Sequence, residues 1–316
     1  MALLLAGCSQ VEPVATATAS PTASPSTPSP GACQLPISLH PNVGSPQGAF
    51  VDIRSGRVTI DPRGDGGRYY DRRFARWLPV SSASVSTDGG HYASGGSTAD
   101  QKAILHIVDV ASGSDHVYSL PDELFTSIGG IHVFEYSNDM IYMGLDGEGY
   151  IAALWAFDLS SGVTRKVADI TGLGVIDDKI AWRSTLDPTD SRAWSYVPGS
   201  PADQIERLDL GDGSHEVWLR RPGDFVGVIG VDGAHHPIVS DSLDKQTIDV
   251  MVLTSATTQQ TIVKGSVETW GGFINGVASD SHGLWIGGDK GIYLYSPAEG
   301  LRKVTDQAGT LAGSCD

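Results

Sequence analysis

The chain has 316 residues, of which 37 are acidic and 21 are Lys or Arg, giving a formal net charge of -16 at pH 7. That length holds one large or two ordinary domains, and a hydrophobic share of 40% with 39 glycines reads as a turn-rich globular chain rather than a disordered one. The acidic balance opposes the phosphate neutralisation on which nucleic-acid and anionic-lipid binding depend, so neither is expected as a partner.

The N-terminus reads MALLLAGCSQ, and Leu5-Ala6-Gly7-Cys8 resembles the bacterial lipobox, where small residues let a signal peptidase cut before a cysteine that carries diacylglycerol. The resemblance implies that Cys8 is the lipid-modified N-terminus of the mature protein. The apolar run before it is shorter than the ~7–15 residues of a signal core, and no Lys or Arg precedes it. Residues 1–8 therefore read as a truncated signal whose start codon lies upstream. Residues 11–31, VEPVATATASPTASPSTPSPG, carry one charge and no aromatic side chain. Such a tract cannot bury enough apolar surface to offset chain entropy, and proline stiffens it into an extended tether. We expect a linker over 9–44, a folded domain over 45–316, and a protein held on the extracytoplasmic face of the cell membrane through Cys8. No stretch has the ~18 consecutive apolar residues of a membrane-spanning helix.

With Cys8 assigned to lipid, Cys33 and Cys315 remain, one near each end of the folded region. In an exported protein such a pair suggests a disulfide that clips the two ends together, the alternative being two free thiols. There is no C-x-x-C, which argues against thioredoxin-like redox chemistry and clustered-cysteine zinc sites.

Further along, one pattern repeats. An apolar strand runs into an acidic or small turn and out into an aromatic or β-branched strand around Asp88, Asp139, Asp178, Asp232 and Asp280, at spacings of 39 to 54 residues. Asn-Asp, Asp-Asp and Asp-Gly suit the positive φ of tight hairpin turns. Each hairpin is followed by a second, turning near 111–113, 160–162, 211–213, 254–257 and 297–300. Four strands per unit at this period predict a β-propeller. A divergent first unit is expected from strands at 50–53, 57–60, 69–70 and 77–80, which favours six blades of four antiparallel strands, with seven as the alternative.

Within the last unit, the run from Asp280 to Tyr295, DSHGLWIGGDKGIYLY, is similar to the blade signature of the sensor propellers in the periplasmic part of hybrid two-component regulators. Ser86-Thr87-Asp88-Gly89 resembles the Ser-Pro-Asp-Gly turn of TolB-like and WD-like propellers, with Thr87 in place of proline. Ser86, Asp88 and Gly90 also fit part of a sialidase Asp-box, but Tyr92 and Ala93 replace its closing pair. These resemblances imply a fold and leave function open.

The chemistry-bearing motifs are mostly absent: there is no G-x-S-x-G elbow, no H-E-x-x-H and no P-loop. Gly147-Glu148-Gly149 mimics a dinucleotide fingerprint, but a strand-like run follows it where a helix is needed. His235-His236 point to opposite faces of a strand and suit no single metal, and the acidic runs 61–65 and 187–190 lack the closing Glu of a calcium loop. No catalytic residue, metal site or cofactor is expected. The longest connection, after Trp182, carries Trp194 and Tyr196, and Trp270 sits in a second loop; these three aromatics are the candidate contacts for a carbohydrate or protein ligand. The expected role is a binding module. The alternatives are a secreted propeller hydrolase or lyase acting on carbohydrate, and a structural component of the cell envelope.

Overall fold

The computed structural model describes residues 33–40, 44–124, 130–137, 139–145, 153–168, 174–185, 202–242, 246–271 and 274–315. The described chain from Cys33 onward is all-β, with six blades of antiparallel strands in a propeller arrangement. The N-terminal strands are β1 (Gln34–Leu39), β2 (Gln47–Asp52) and β3 (Val58–Asp65), followed by the hairpin β4 (Tyr69–Asp71) and β5 (Arg76–Leu78). The second blade holds β6 (His91–Ser97), β7 (Ala103–Asp109) and β8 (Asp115–Ser119). The third runs β9 (Ile131–Ser137), β10 (Met140–Leu145), β11 (Leu154–Asp158) and β12 (Val163–Ala168), and the fourth β13 (Val175–Asp177), β14 (Ile180–Thr185), β15 (Gln204–Asp209) and β16 (His215–Arg220). The fifth comprises β17 (Phe225–Val231), β18 (Pro237–Ser242), β19 (Ile248–Ser255) and β20 (Thr258–Val263), followed by the single-turn helix α1 (Val267–Trp270). The sixth comprises β21 (Ile274–Asp280), β22 (Gly283–Gly288), β23 (Gly291–Ser296) and β24 (Gly300–Thr305), and the last strand is β25 (Thr310–Leu311).

The ring closes by mixing the two ends of the chain. The first blade has the order β25-β1-β2-β3, so its innermost strand comes from the C-terminal end and the other three from the N-terminal end. Pairing sets Ile37 against Leu311 and Ser38 against Thr310, and the Ala312 amide donates to the Pro36 carbonyl. Strand structure thus begins at Gln34, inside the segment expected as linker. The 69–70 and 77–80 segments belong not to the first blade but to the separate β4-β5 hairpin. In the second blade the innermost strand shrinks to a 3-10 turn at Ser82–Ser84 and one bridge, Val85 to Tyr92.

A turn motif that recurs along the chain gives four of its aspartates a structural role. Asp52, Asp109, Asp158 and Asp209 each end the third strand of a blade, and the glycine four residues on donates its amide to that aspartate's carbonyl at 2.8 to 2.9 Å. Those glycines, Gly56, Gly113, Gly162 and Gly213, have φ of 70 to 76°, where an L side chain is strained. Each aspartate's Oδ1 accepts an amide within the turn, from Ser55, Ser112, Ser160 or Gly211. The Ser112 hydroxyl and amide hold Asp109 below the usual carboxylate range, the Ser160 hydroxyl and Ser161 amide do the same for Asp158, and the Ser55 amide and hydroxyl for Asp52, so these are ionised turn anchors.

Between blades the strand faces interdigitate. Val133, Ile141, Met143 and Phe157 pack on Leu105 and Ile107; Trp182 and Ile205 pack on Val226, Val239 and Met251; and Trp285, Ile292 and Leu294 meet Leu35, Ile37, Ala49 and Val51 across the closure. Among the described residues no helix is long and apolar enough to cross a membrane.

Candidate functional site

A cleft of about 570 Å³ opens between the second and third blades, on the face that carries the turns from first to second strand and from third to fourth strand. Its walls are Ser86, Thr87, Asp88 and His91 from the first turn of the second blade, Ile107, His116 and Tyr118 from β7 and β8, and Tyr136, Asp139 and Leu159 from the third blade. The turn from Ser86 to His91 that lines this space follows directly on the shortened inner strand of the second blade. The volume suits a small molecule, since ligand pockets commonly run to ~300–1,000 Å³.

The two carboxylates come from equivalent turns of neighbouring blades. Asp88 is fixed: its Oδ1 accepts the Ser86 hydroxyl at 2.7 Å and the Gly90 amide at 2.9 Å, which holds the carboxyl below its usual range. Ser86 is fixed with it, its Oγ accepting the His91 amide at 2.9 Å, so this hydroxyl is a turn element rather than a nucleophile. Tyr136 is 4% exposed. Burial first, then the charge of Asp88, pushes that phenol up to about 12, so it remains a protonated donor. Tyr118 packs edge-on against Phe157 with ring centroids 4.9 Å apart, which fixes its ring in the wall.

A second polar junction joins three blades on the same face. Glu135 of β9 lies within the field of Asp177 and Asp178, and His235 of the fifth blade meets Asp177 Oδ2 through Nδ1 at 2.8 Å. Burial, reinforced by those two aspartates, raises Glu135 to about 7. His236 is satisfied separately, Nδ1 lying 3.2 Å from Asp232.

The sequence-derived candidates have different fates. Cys33 and Cys315 are bonded, with Cα atoms 5.4 Å apart. Trp270 is not a ligand contact: it is fully buried, donates from Nε1 to the Ile248 carbonyl at 3.0 Å and packs against Tyr293. The short helix α1 turns its indole inward, and a Cβ on Gly265 would lie 2.1 Å from Nε1. Cys8, Trp194 and Tyr196, the loop that carries the last two, and the 187–190 acidic run lie outside the described residues. Asp61 is committed to Arg63 and to the indole of Trp77, at 3.0 and 3.1 Å. Asp280, His282 and Cys315 bring ligand-type atoms within 4.8 Å of one another, but the Cys315 sulfur is bonded to Cys33 and Asp280 accepts from Trp285 and the Cys315 amide. That trio is a structural junction.

The cleft residues were each present in the sequence reading only as strand or turn markers. The signal that would have singled them out is the missing inner strand of the second blade, where Ser82-Ala83-Ser84 replaces an apolar run.

No known protein family matches the chain, and no curated protein matches it. Among solved structures, a prolyl endopeptidase is similar with a TM-score of 0.50 at 17% identity, over 68% of this chain and 35% of that one. TolB from Acinetobacter baumannii has a TM-score of 0.44 at 12% identity, over 81% of this chain and 61% of TolB. The extracellular domain of a hybrid two-component system from B. thetaiotaomicron has a TM-score of 0.44 at 10% identity, over 90% of this chain and 36% of that one. The chain therefore spans about a third of the endopeptidase and three fifths of TolB. At these identities the likeness is one of fold.

Proposed function

We propose that this protein is a ligand-binding module held at the extracytoplasmic face of the cell membrane through a lipid on Cys8, with its ligand seated in the cleft between the second and third blades. The observation that carries the reading is the convergence of Asp88, Asp139, His91, His116, Tyr118 and Tyr136 from two blades onto one open volume over an apolar base of Ile107 and Leu159. Polar groups gathered over apolar lining are what orient and hold a small ligand. The site offers hydrogen-bond partners and aromatic faces and has its one serine hydroxyl tied into a turn, which supports binding over nucleophilic catalysis.

The test is a panel of neutral saccharides, short peptides and amines screened by thermal shift and calorimetry against the parent and a His116→Gln, Tyr118→Ala double variant. Binding by the parent that the folded double variant loses supports the reading; a ligand that binds both equally places the site elsewhere. For the anchor, expression behind a full-length lipoprotein signal sequence should leave the parent in membranes and release Cys8→Ala into the medium. Retention of the alanine variant would overturn the lipid assignment.

A further inference from the structure

We propose that the cleft selects a small organic cation with an apolar body, such as a protonated aryl-alkyl amine. This inference rests on the binding reading above and adds the chemical class of the ligand.

The argument begins with charge. The described lining holds two carboxylates, Asp88 and Asp139, and neither Lys nor Arg. The Asp88 carboxylate is held by its turn and Asp139 stands on the equivalent turn of the next blade, so negative potential is in place before any ligand arrives, and the chain's charge of -16 reinforces it. Asp88 uses Oδ1 for its turn, and among the described residues no donor reaches Oδ2. That oxygen is available to a cation. An anionic ligand would meet both carboxylates; the guanidinium beside them, Arg73, lies outside the lining and is committed to the Asp88 carbonyl, to which its Nη1 donates at 2.6 Å.

Surface chemistry supplies the second half. Tyr118 is the half-buried aromatic of the lining, with the buried Tyr136 and Ile107 behind it and Leu159 beside it, and an aromatic face attracts a cation within about 6 Å of its centroid. The neutral, buried Tyr136 can present its hydroxyl to the ligand without adding charge. Two carboxylates at the turns with aromatic and aliphatic surface behind them match a molecule that is positive at one end and apolar at the other. A neutral polyhydroxylated ligand can donate hydroxyls to either carboxylate but brings no positive charge for the potential to attract.

Three probes of nearly equal size separate charge from shape: phenethylamine, 2-phenylethanol and phenylacetate, which are cationic, neutral and anionic at pH 8. Calorimetry on the full chain in low salt should rank phenethylamine at least fivefold above 2-phenylethanol, with phenylacetate weakest. Raising NaCl from 50 to 500 mM should close that gap, because exposed charges are screened. Asp139→Asn keeps a turn-forming side chain and removes one charge, and it should weaken phenethylamine about fivefold while leaving 2-phenylethanol and the melting temperature unchanged. Equal binding of the amine and the alcohol, lost together in the His116→Gln, Tyr118→Ala variant, would overturn the cation assignment while keeping the module. If no probe and no neutral saccharide distinguishes parent from double variant, both readings fall.

Discussion

Cys33 and Cys315 stand opposite each other on the ladder that closes the ring. The pairing of Ile37 with Leu311 and Ser38 with Thr310, continued outward through the Ala312 amide to Pro36 carbonyl bond, brings the two cysteines to facing positions, and their sulfurs are joined there. The disulfide thus extends a strand pair of which only two residues on one side are counted as strand. Chain-entropy models give such a long closed loop about 4–5 kcal/mol. Denaturant unfolding of a Cys33→Ser, Cys315→Ser double variant should show a loss of at least 2 kcal/mol, and the parent in reductant should shift toward it. An unchanged midpoint would mean that the ladder alone closes the ring.

Arg72 is a second clasp on the same pairing. Its Nε donates to the Ser314 carbonyl and its Nη2 to the Gln34 carbonyl, both at 2.8 Å, tying the strands just inside the disulfide. Hydrogen bonds from a charged group contribute about 1.5–3 kcal/mol when they are not fully exposed, and less here because Arg72 is at the surface. We expect Arg72→Ala to cost about 1 kcal/mol in the oxidised protein and more in the Cys33→Ser, Cys315→Ser background, read as a double-mutant cycle.

The hairpins from 85 to 305 were legible because strands alternate with a period of two and their turns use Asp, Asn, Ser and Gly at positions that need those residues. The closure was not. Gln34–Leu39 has Pro36 at its centre and follows a Ser/Thr/Pro tract, while its partner, Thr310–Leu311, is too short to show any period. Nothing local marks either as a strand; only the ring geometry does. Tyr69–Asp71 and Arg76–Leu78 misled for the opposite reason. Their aromatics read like those of blade strands, yet Tyr70 and Trp77 pack around Phe50, with the Trp77 ring 5.1 Å from Tyr70 and 5.5 Å from Phe50. The cleft escaped because its groups lie on turns some fifty residues apart and meet only through blade packing.

Trp270 should behave as core. Trp270→Ala is expected to lower stability by about 3–5 kcal/mol, the usual cost of deleting a buried indole, whereas Trp270→Phe should cost less by keeping most of the volume and losing the bond to Ile248. Chemical denaturation distinguishes the two. A near-neutral alanine variant would return Trp270 to the surface.

Glu135 gives stability a definite slope with pH. Its folded value, about 7, lies above the unfolded 4.5, so between those limits the native state holds a proton that the unfolded chain has released. Stability from this group is therefore fully present below about pH 4.5 and declines as pH rises through 7, by an order of 1–3 kcal/mol. Glu135→Gln should flatten that part of the profile and be the more stable protein at pH 8. Parallel pH profiles for parent and variant would show that the carboxyl is solvated.

Because the innermost strand of the first blade is β25, a ribosome can deliver every other strand of the ring before the first blade has its inner edge. Until Thr310 and Leu311 emerge, β1 offers its unpaired backbone to any strand that reaches it, a neighbouring nascent chain included. Pro36 removes one amide donor from that edge. Synthesis order thus makes the last strand to appear the one that seals the fold, and makes the interval before it the period of greatest exposure to mispairing.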